Sequence, residues 1–295
     1  MIGNSLTESH LVARFAAAQA LAREAGALAV ALRSGPASSF AVESKSDLDF
    51  ATEADRAVER LVIERLGKRF GDNVLGEEYG SQRSEVSSGA GSGTAGPAKG
   101  GAALAGDRLW VVDPVDGTFN FMHALPVWCV SLAFMHRGEI EIGIIYNPDS
   151  NEMFTARRGR GAFLNGIKLA VSAGRHAAPL IEVGHSNRQP LTQYLDLIGR
   201  VFAAGCEFRR LGSGALGLAA VAAGRTDGYL ELHINAWDVL AGMLLVREAG
   251  GWTNDFLAGD GLRTGNPIIA CTPELHEKLV GLLADLPVPL TAGSR

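Results

Sequence analysis

Two helices are predicted over the first third of the chain by the spacing of its apolar residues. Between residues 11 and 32, apolar side chains recur at intervals of mostly three and four, which is the period of one helical face. A second helix of this kind begins at Thr52 and ends near Gly71. Asp55 stands three residues after Thr52, so the two side chains fit a capping box in which Asp replaces Glu.

Short apolar runs beyond the second helix predict strands. The run Leu109–Val112 is entirely apolar and leads into Asp113, which suits a strand that is buried on both faces. Between residues 127 and 166, apolar segments are separated by turns, and Asn165-Gly166 is a strong hairpin signal. This block predicts an antiparallel sheet.

From residue 180 onward, strands alternate with helices. Strands are predicted at 180–183, 228–232 and 267–270, and helices at 191–203, 215–223 and 237–249. Such alternation is typical of an α/β architecture. Because 295 residues are enough for two domains, we expect an N-terminal α+β part at 1–150 and a C-terminal α/β part at 151–295.

Residues 81–107 interrupt the first part with a stretch rich in Gly, Ser and Ala. Because this stretch has few large apolar side chains, it would bury too little surface to offset the loss of chain entropy. We expect a flexible surface insertion and not a domain boundary, since candidate chemistry resumes directly after it.

Composition narrows the class of protein. With 27 basic and 32 acidic residues the net charge is −5, so the chain has no electrostatic signature of a partner that is nucleic acid or an anionic membrane. No signal peptide and no membrane span are recognisable, and we expect a cytoplasmic protein. The three cysteines, Cys129, Cys206 and Cys271, form no C-x-x-C motif, which argues against a disulfide framework and a thiolate zinc site.

Four carboxylates stand at the ends of apolar segments. Glu77 follows a short apolar run, Asp113 and Asp116 follow the predicted strand, and Asp238 lies at the start of a hydrophobic helix. Such carboxylates are costly unless they are paired or bound to a cation. No Lys or Arg flanks them closely, Arg108 being the nearest to Asp113. Oxygen ligands of this kind favour a hard divalent ion, Mg²⁺ or Mn²⁺.

The segment D-P-V-D-G-T at 113–118 has features that could form such a metal and phosphate site. Pro114 stiffens the turn, so both carboxylates and the Val115 carbonyl can face one point. Gly117 allows a ligand to approach the backbone. A helix that begins at Thr118 would direct its N–H groups at a phosphate.

Each of these residues also has a purely structural explanation. Asp238 and Asp55 fit helix caps, Glu77-Glu78 fits a solvated turn, and Gly212-Ser213-Gly214 is a common type of glycine-rich turn. Under this alternative the carboxylates would lie far apart in space.

Taken together and in order, the motifs resemble those of the inositol monophosphatase family of Mg²⁺-dependent, lithium-sensitive phosphatases. The resemblance rests on G-E-E at 76–78, W-V-V-D-P-V-D-G-T-F-N-F at 110–121, W-D-V-L-A-G at 237–242 and E-A-G-G at 248–251. It covers nearly the whole chain, although the insertion is longer than the family usually has. It implies a layered αβαβα sandwich of the inositol monophosphatase and fructose-1,6-bisphosphatase type, with α+β and α/β parts, and a homodimer.

The resemblance also implies roles for individual residues. Two to three Mg²⁺ ions, or Mn²⁺, would be held by Glu77, Asp113, the Val115 carbonyl, Asp116 and Asp238. Glu77, Thr118 and Asp55 would be the catalytic residues: Glu77 would also contribute to a third, weaker metal site, and Thr118 would lie beside the attacking water, with Asp55 accepting a hydrogen bond from its hydroxyl. The substrate would contact Gly117, Thr118, Gly212, Ser213 and Glu231. The family often has a basic residue before the second helix, and Lys45 stands near that place.

The implied reaction is the hydrolysis of a phosphate monoester by metal-activated water. The favoured substrate is inositol 1-phosphate, a small polyol phosphate, on the strength of Phe119-Asn120-Phe121 and Glu231. The alternatives are histidinol phosphate, fructose 1,6-bisphosphate or 3′-phosphoadenosine 5′-phosphate. A binding role without catalysis is a further alternative, since fold alone does not establish function.

Overall fold

The computed structural model describes residues 6–35, 42–46, 49–82, 107–174 and 177–284, with only the backbone described for 42–46 and 49–51. Most of the predicted insertion, residues 83–106, therefore lies outside the described residues. The side chain of Lys45 does so too.

The described chain forms eight α-helices, one 3-10 helix at Pro273–Leu275 and fifteen strands, in an order close to that predicted. The helices are α1 Glu8–Arg33, α2 Glu53–Phe70, α3 Thr118–Met122, α4 Leu191–Ala203, α5 Gly214–Ala222, α6 Ala236–Glu248, α7 Gly261–Thr264 and α8 His276–Leu283. The first ten strands are β1 Val42–Ser46, β2 Asp49–Thr52, β3 Asn73–Gly76, β4 Gly80–Gln82, β5 Arg108–Asp116, β6 Cys129–His136, β7 Glu139–Asn147, β8 Glu152–Arg157, β9 Gly161–Leu164 and β10 Ile167–Lys168. The others are β11 Leu180–Val183, β12 Glu207–Arg209, β13 Gly228–Ile234, β14 Trp252–Thr253 and β15 Asn266–Cys271.

Most of these strands form two sheets, and β1 pairs with β2 alone. The larger sheet has the order β10-β9-β8-β7-β6-β5-β3-β4 and is antiparallel except between β3 and β5. The smaller sheet has the order β12-β11-β13-β15-β14, with β11 parallel to both of its neighbours. The larger sheet continues past residue 150 to Lys168, and the division of the chain at 150 stays a prediction.

The helices and sheets stack in five layers. On the outer face of the larger sheet, α1 and α2 bury a core around Trp110 and Phe134. Between the two sheets, α5 and α6 share a core with both, and β7 comes so close to α6 that a Cβ on Gly143 would lie 2.6 Å from the Ala241 carbonyl. Beyond the smaller sheet, α4 and α8 cover Val183 and Ile269. The layer order confirms the predicted αβαβα sandwich.

The strand that carries the first two aspartates differs from the prediction at its end. The sequence predicts that this strand ends at Asp113. In the structure β5 continues to Asp116, and its pairing with β6 shifts between the two aspartates. Pro114 lies inside this irregularity, where the missing N–H of proline costs no ladder hydrogen bond. The irregular segment places both carboxylates at one end of the sheet.

Helix α1 satisfies a length and composition test for a membrane span, alone among the described helices. In the structure its small side chains, including Ala18, Ala22 and Ala25, are buried in the core shared with the larger sheet. Arg14, on the same helix, is also buried. A core helix of this kind passes the same test by composition alone.

Arg14 is held by a buried carboxylate that the sequence does not single out. Its Nε and Nη2 atoms donate to Asp72 at 2.8 Å each, and the Trp110 indole donates to the same carboxylate at 3.1 Å. Arg108 lies 3.6 Å from Asp72. The arginine nearest in sequence to Asp113 therefore pairs elsewhere, and this network joins α1 to β5.

Replacing Asp72 by Asn should destabilise the fold strongly. The change keeps the shape of the side chain but leaves Arg14 buried without its counter-charge, which typically costs about 3–5 kcal/mol. Urea unfolding followed by circular dichroism measures the loss. The matched control is Glu24→Gln, which breaks an exposed pair with Arg65 and should leave the free energy of unfolding close to wild type. Equal effects of the two variants would contradict the importance of the buried pair.

Candidate active site

Three carboxylates meet where β5 ends and α6 begins. One oxygen from each of Asp113, Asp116 and Asp238 lies within 4.8 Å of the other two. The first two come from the irregular end of β5, and Asp238 is the third residue of α6. The alternative in which these aspartates lie far apart is therefore wrong. Glu77 follows β3 and lines the same cavity as Asp116 and Asp238.

The cluster is electrostatically unfavourable by itself. Burial, followed by the charges of Glu77, Asp238 and Asp116, raises the pKa of Asp113 well above its ordinary value. Burial and the charge of Asp116 raise the pKa of Asp238 to about 7. No described Lys or Arg forms an ion pair with Asp113, Asp116 or Asp238. Several carboxylate oxygens that lie close together, with no Lys or Arg to neutralise them, are suitable ligands for a divalent metal ion.

Hydrogen bonds within the β5 segment fix its shape. The Asp113 Oδ1 atom accepts the Val115 N–H at 2.9 Å. The Val115 carbonyl accepts the Thr118 hydroxyl at 3.0 Å. The carbonyl predicted to hold a metal therefore lies one hydrogen bond from the predicted water-positioning residue.

Asp116 is held by the start of α5. It accepts the Ser213 hydroxyl, the Gly214 N–H at 3.2 Å and the Ala215 N–H at 2.8 Å. The Cys129 thiol also donates to it at 3.6 Å. Ser213 is only 2% exposed, so its hydroxyl positions Asp116. The predicted contact of Ser213 with substrate stays a prediction.

Asp55 combines the two roles that the sequence left open. Its Oδ2 atom accepts the Thr52 N–H at 2.8 Å in a capping box at the start of α2. Its Oδ1 atom accepts the Thr118 hydroxyl at 3.2 Å. Burial raises the pKa of Asp55 to about 6. The predicted Thr118–Asp55 pair is thus present as a hydrogen bond, and the helix cap fixes its acceptor.

Gly117 joins β5 to α3 in a conformation that requires glycine. Its φ is 90°, in the left-handed region, and a Cβ there would lie 2.8 Å from the Val127 carbonyl. Gly117 and Thr118 both line the cavity. Any side chain at 117 would strain the turn and crowd this wall.

Sequence reasoning missed the residue that positions the Glu77 loop. The buried Glu59 carboxylate accepts the Glu78 N–H at 2.7 Å and the Tyr79 N–H at 2.9 Å. It lies four residues after Asp55, on the buried face of α2. The sequence therefore placed the acidic Glu59 among the apolar residues of this helix face, and this position is the sequence feature from which a buried, functional carboxylate could have been predicted.

The carboxylate cluster opens into a cavity of about 430 Å³ between the two sheets. Glu231 lines it, is 7% exposed, and accepts the Tyr229 hydroxyl at 2.6 Å. Burial raises the pKa of Glu231 to about 8. Gly212 also lines the cavity, so the cavity brings together predicted substrate residues from both halves of the chain.

Several charged or titratable residues of the cavity wall escaped prediction, among them Glu182, His185, Arg188 and Arg210. The buried Glu182 carboxylate accepts the Leu211 N–H at 3.3 Å, and burial raises its pKa to about 8. These residues carry no local motif, because they reach the site only through the pairing order of the smaller sheet.

Comparison with known proteins identifies the family. The model of the inositol monophosphatase family matches residues 11–287. The chain is 37% identical over 250 residues to the Nus factor SuhB of Salmonella typhimurium, covering 82% of this chain and 85% of that protein. It is 36% identical over 251 residues to the inositol-1-monophosphatase of Mesorhizobium japonicum, covering 83% of this chain and 87% of that protein.

The fold agrees with this match. The crystal structure of the extragenic suppressor protein suhB from Bartonella henselae superposes with a TM-score of 0.79 at 35% identity, covering 93% of this chain and 99% of that chain. The chain belongs to the inositol monophosphatase family, a family of phosphatases. The resemblance inferred from the motifs is confirmed, and the acidic cluster is a candidate metal site.

Without metal, the protein should lose stability as the pH rises from about 4 to about 7. Asp55 and Asp238 have pKa values raised to about 6 and about 7, so the folded protein retains protons that the unfolded chain has already lost. Their contribution is fully present at low pH and disappears as the pH passes the folded pKa. A divalent cation should oppose this loss, because it binds the ionised carboxylates.

Melting temperatures in EDTA and in Mg²⁺ across this pH range test the prediction, with K⁺ at equal ionic strength as the control. The stabilisation by Mg²⁺ should grow with pH. A melting temperature in EDTA that stays level, together with no response to Mg²⁺, would argue against a metal site.

Proposed function

We propose that this protein is a Mg²⁺-dependent phosphatase that hydrolyses a phosphate monoester, with inositol 1-phosphate as the preferred substrate. The observation that carries the proposal is the convergence of Asp113, Asp116 and Asp238 beside a cavity that Glu77 and Thr118 also line. A phosphate monoester carries nearly two negative charges near neutral pH, given a second pKa of about 6. A purely acidic wall would repel such a substrate, so the proposal requires cations at the cluster.

The metal ions would be held by carboxylates and one carbonyl. Their ligands would be Glu77, Asp113, Val115, Asp116 and Asp238, all placed at the ends of β3 and β5 or on the first turn of α6. Bound Mg²⁺, two to three ions, or Mn²⁺ in its place, supplies positive charge against the phosphate and increases the acidity of water. The chain itself contributes rigid placement of the ligands.

Thr118 and Asp55 would orient the attacking water. Because the Thr118 hydroxyl donates its proton to Asp55 or to the Val115 carbonyl, its oxygen can accept a hydrogen bond from water. Asp55, buried and fixed by Thr52, keeps this direction constant. Water held in one orientation loses less entropy when it attacks the phosphate.

The remaining cavity residues would bind the substrate. The Gly117 and Thr118 N–H groups would donate to the phosphate, while Gly212, Ser213 and Glu231 would contact the alcohol. A carboxyl next to a tyrosine hydroxyl, as at Glu231 and Tyr229, suits the hydroxyl groups of a polyol. The name of the Mesorhizobium relative supports inositol 1-phosphate as this polyol phosphate.

We also propose that the enzyme is a lithium-sensitive, cytoplasmic homodimer that binds neither nucleic acid nor membrane. A second candidate function, a binding role without catalysis, is supported by the name Nus factor that the Salmonella relative carries. The two candidates are compatible, because binding to a partner can use surface outside the cavity.

Phosphate release from a substrate panel tests the reaction. The panel contains inositol 1-phosphate, glycerol 2-phosphate, histidinol phosphate, fructose 1,6-bisphosphate and 3′-phosphoadenosine 5′-phosphate, each with Mg²⁺, with EDTA and with added Li⁺. We expect turnover that requires Mg²⁺, is inhibited by Li⁺ and is fastest on inositol 1-phosphate. Asp113→Asn, which retains the acceptor for Val115, should abolish it. If another substrate is fastest, the reaction class holds and the substrate changes; no release from any would favour the binding role.

Thr118→Val should lower kcat by about a hundredfold or more, in the range of proton-transfer and water-orienting groups. The substitution keeps the β-branched shape but removes the hydroxyl that bonds Asp55. Thr118→Ser, which keeps a hydroxyl, serves as the control and should retain most of the activity. Melting curves in Mg²⁺ should be similar for the two variants. Similar kcat values for valine and serine would refute the role of the hydroxyl.

A further inference from the structure

The segment between β12 and α5, residues 210–213, crosses from the smaller sheet to the start of α3. Gly212 and Ser213 line the cavity, on the side where the alcohol part of the substrate is proposed to lie. A Cβ on Gly117 would lie 3.3 Å from the Gly212 carbonyl and 3.3 Å from the Ser213 Cβ. The segment therefore packs directly against the turn that is proposed to bind the phosphate, and its position sets the distance between the two parts of a bound substrate.

The side-chain amide of Asn120 holds this segment on one side. Its Nδ2 atom donates to the Leu211 carbonyl at 2.8 Å, to the Val127 carbonyl at 2.8 Å and, more weakly, to the Gly212 carbonyl at 3.4 Å. Asn120 is the third residue of α3 and is only 8% exposed. Carbonyl oxygens accept hydrogen bonds and cannot donate them, so this position requires a donor and would repel a carboxylate.

Glu182 holds the same segment from the smaller sheet. Its Oε1 atom, on β11, accepts the Leu211 N–H at 3.3 Å. Glu231, the other buried carboxyl of this wall, accepts the Tyr229 hydroxyl instead. The N–H and the carbonyl of Leu211 are therefore fixed by two different elements, β11 and α3, which belong to the two halves of the chain.

We propose that Asn120 and Glu182 are positioning residues that determine specificity for a polyol phosphate. They act through residues 210–213, because their hydrogen bonds keep Gly212 and Ser213 at a fixed place beside the alcohol. Contacts that are fixed before the substrate arrives cost less entropy on binding. This inference rests on the proposed function, which assigns the phosphate to the turn at Gly117 and the alcohol to this segment.

A matched pair of substrates tests the inference. Inositol 1-phosphate and cyclohexyl phosphate share a six-membered ring and a phosphate and differ in the ring hydroxyl groups. The ratio of their kcat/KM values measures recognition of these hydroxyl groups and is insensitive to a general loss of activity. For the wild-type protein inositol 1-phosphate should be preferred by about tenfold or more, as expected for hydrogen bonds to the hydroxyl groups.

Removal of either anchoring side chain should lower this preference. In Asn120→Leu and in Glu182→Leu the ratio should fall toward one, because residues 210–213 lose one of their two anchors. The loss should be mainly a higher KM for inositol 1-phosphate, with a smaller change in kcat, since the segment is proposed to bind the alcohol and not the reacting phosphate.

Three further variants separate the hydrogen bonds from charge and from stability. Glu182→Gln removes the charge but keeps an oxygen that accepts the Leu211 N–H, so it should retain the ratio. Asn120→Asp keeps the shape without the donor and should lower the ratio as Asn120→Leu does. Asn254→Leu removes another buried amide, which bonds the backbone of β15 outside the cavity wall. It should lower the melting temperature and leave the ratio unchanged.

Hydrogen exchange measures the anchoring without turnover. Amide exchange in a peptide that covers residues 210–213 should be faster in Asn120→Leu and in Glu182→Leu than in the wild-type protein. Exchange of the same peptide should be unchanged in Asn254→Leu. If Asn120→Leu does not fold, Glu182→Leu supplies the same test from the other anchor.

Three results would overturn the inference. A wild-type ratio near one would show that the hydroxyl groups are not recognised, and it would leave the proposed phosphatase function intact if the two substrates are hydrolysed. A ratio that keeps its wild-type value in Asn120→Leu or in Glu182→Leu would show that the anchor does not affect specificity. An equal fall in Asn254→Leu would reduce the effect to a loss of stability.

A protein that releases no phosphate from any substrate would contradict the proposed function, and binding then tests the inference by itself. Calorimetry in Mg²⁺ compares inositol 1-phosphate with cyclohexyl phosphate. Inositol 1-phosphate should bind more tightly, and the difference should be lost in Asn120→Leu. Equal binding of the two compounds by the wild-type protein would overturn the inference.

Discussion

The repulsion between buried carboxylates at the end of β5 governs the organisation of this molecule. Asp113, Asp116 and Asp238 would move apart if their surroundings allowed it, and burial and their mutual repulsion raise their pKa values. Instead each is fixed by backbone N–H groups: Val115 for the first, Gly214 and Ala215 for the second, and Asn235 for the third. The fold thus supplies the free energy that holds a strained arrangement of charge ready for a cation.

The five layers explain how this arrangement is held. Asp113 and Asp116 belong to the larger sheet and Asp238 to a helix between the sheets, so no single element can relax without moving the core. The close packing of Gly143 under Ala241 sets the height of α6 above β7. The position of Asp238 relative to β5 therefore depends on a backbone contact that tolerates no larger side chain.

The metal side of the site could be predicted from the sequence because its residues lie in short, contiguous motifs. The spacing of apolar residues and the turn motifs also predicted most of the helices and the antiparallel strands of the larger sheet. Arg188 and Arg210 could not be found in this way, since they are separated in sequence and reach the same cavity only through the parallel pairing of β11 with its neighbours. Glu59 and Asp72 were missed for a related reason: hydrophobic periodicity locates a buried face but does not tell which buried polar residues it carries. The irregular end of β5 was also missed, because Pro114 reads as a terminator in sequence while the strand continues past it.

The capping box at the start of α2 has a dynamic consequence. Helix ends commonly fray, and in most proteins this opening is rapid and without effect. Here the first turn of α2 contains Asp55, the acceptor for Thr118, so each fraying event would release a side chain of the cavity. Surface residues on that turn, such as Glu53 with its partner Arg60, would then influence turnover without touching a ligand. Under the proposed role of Thr118, opening of this helix end would interrupt turnover.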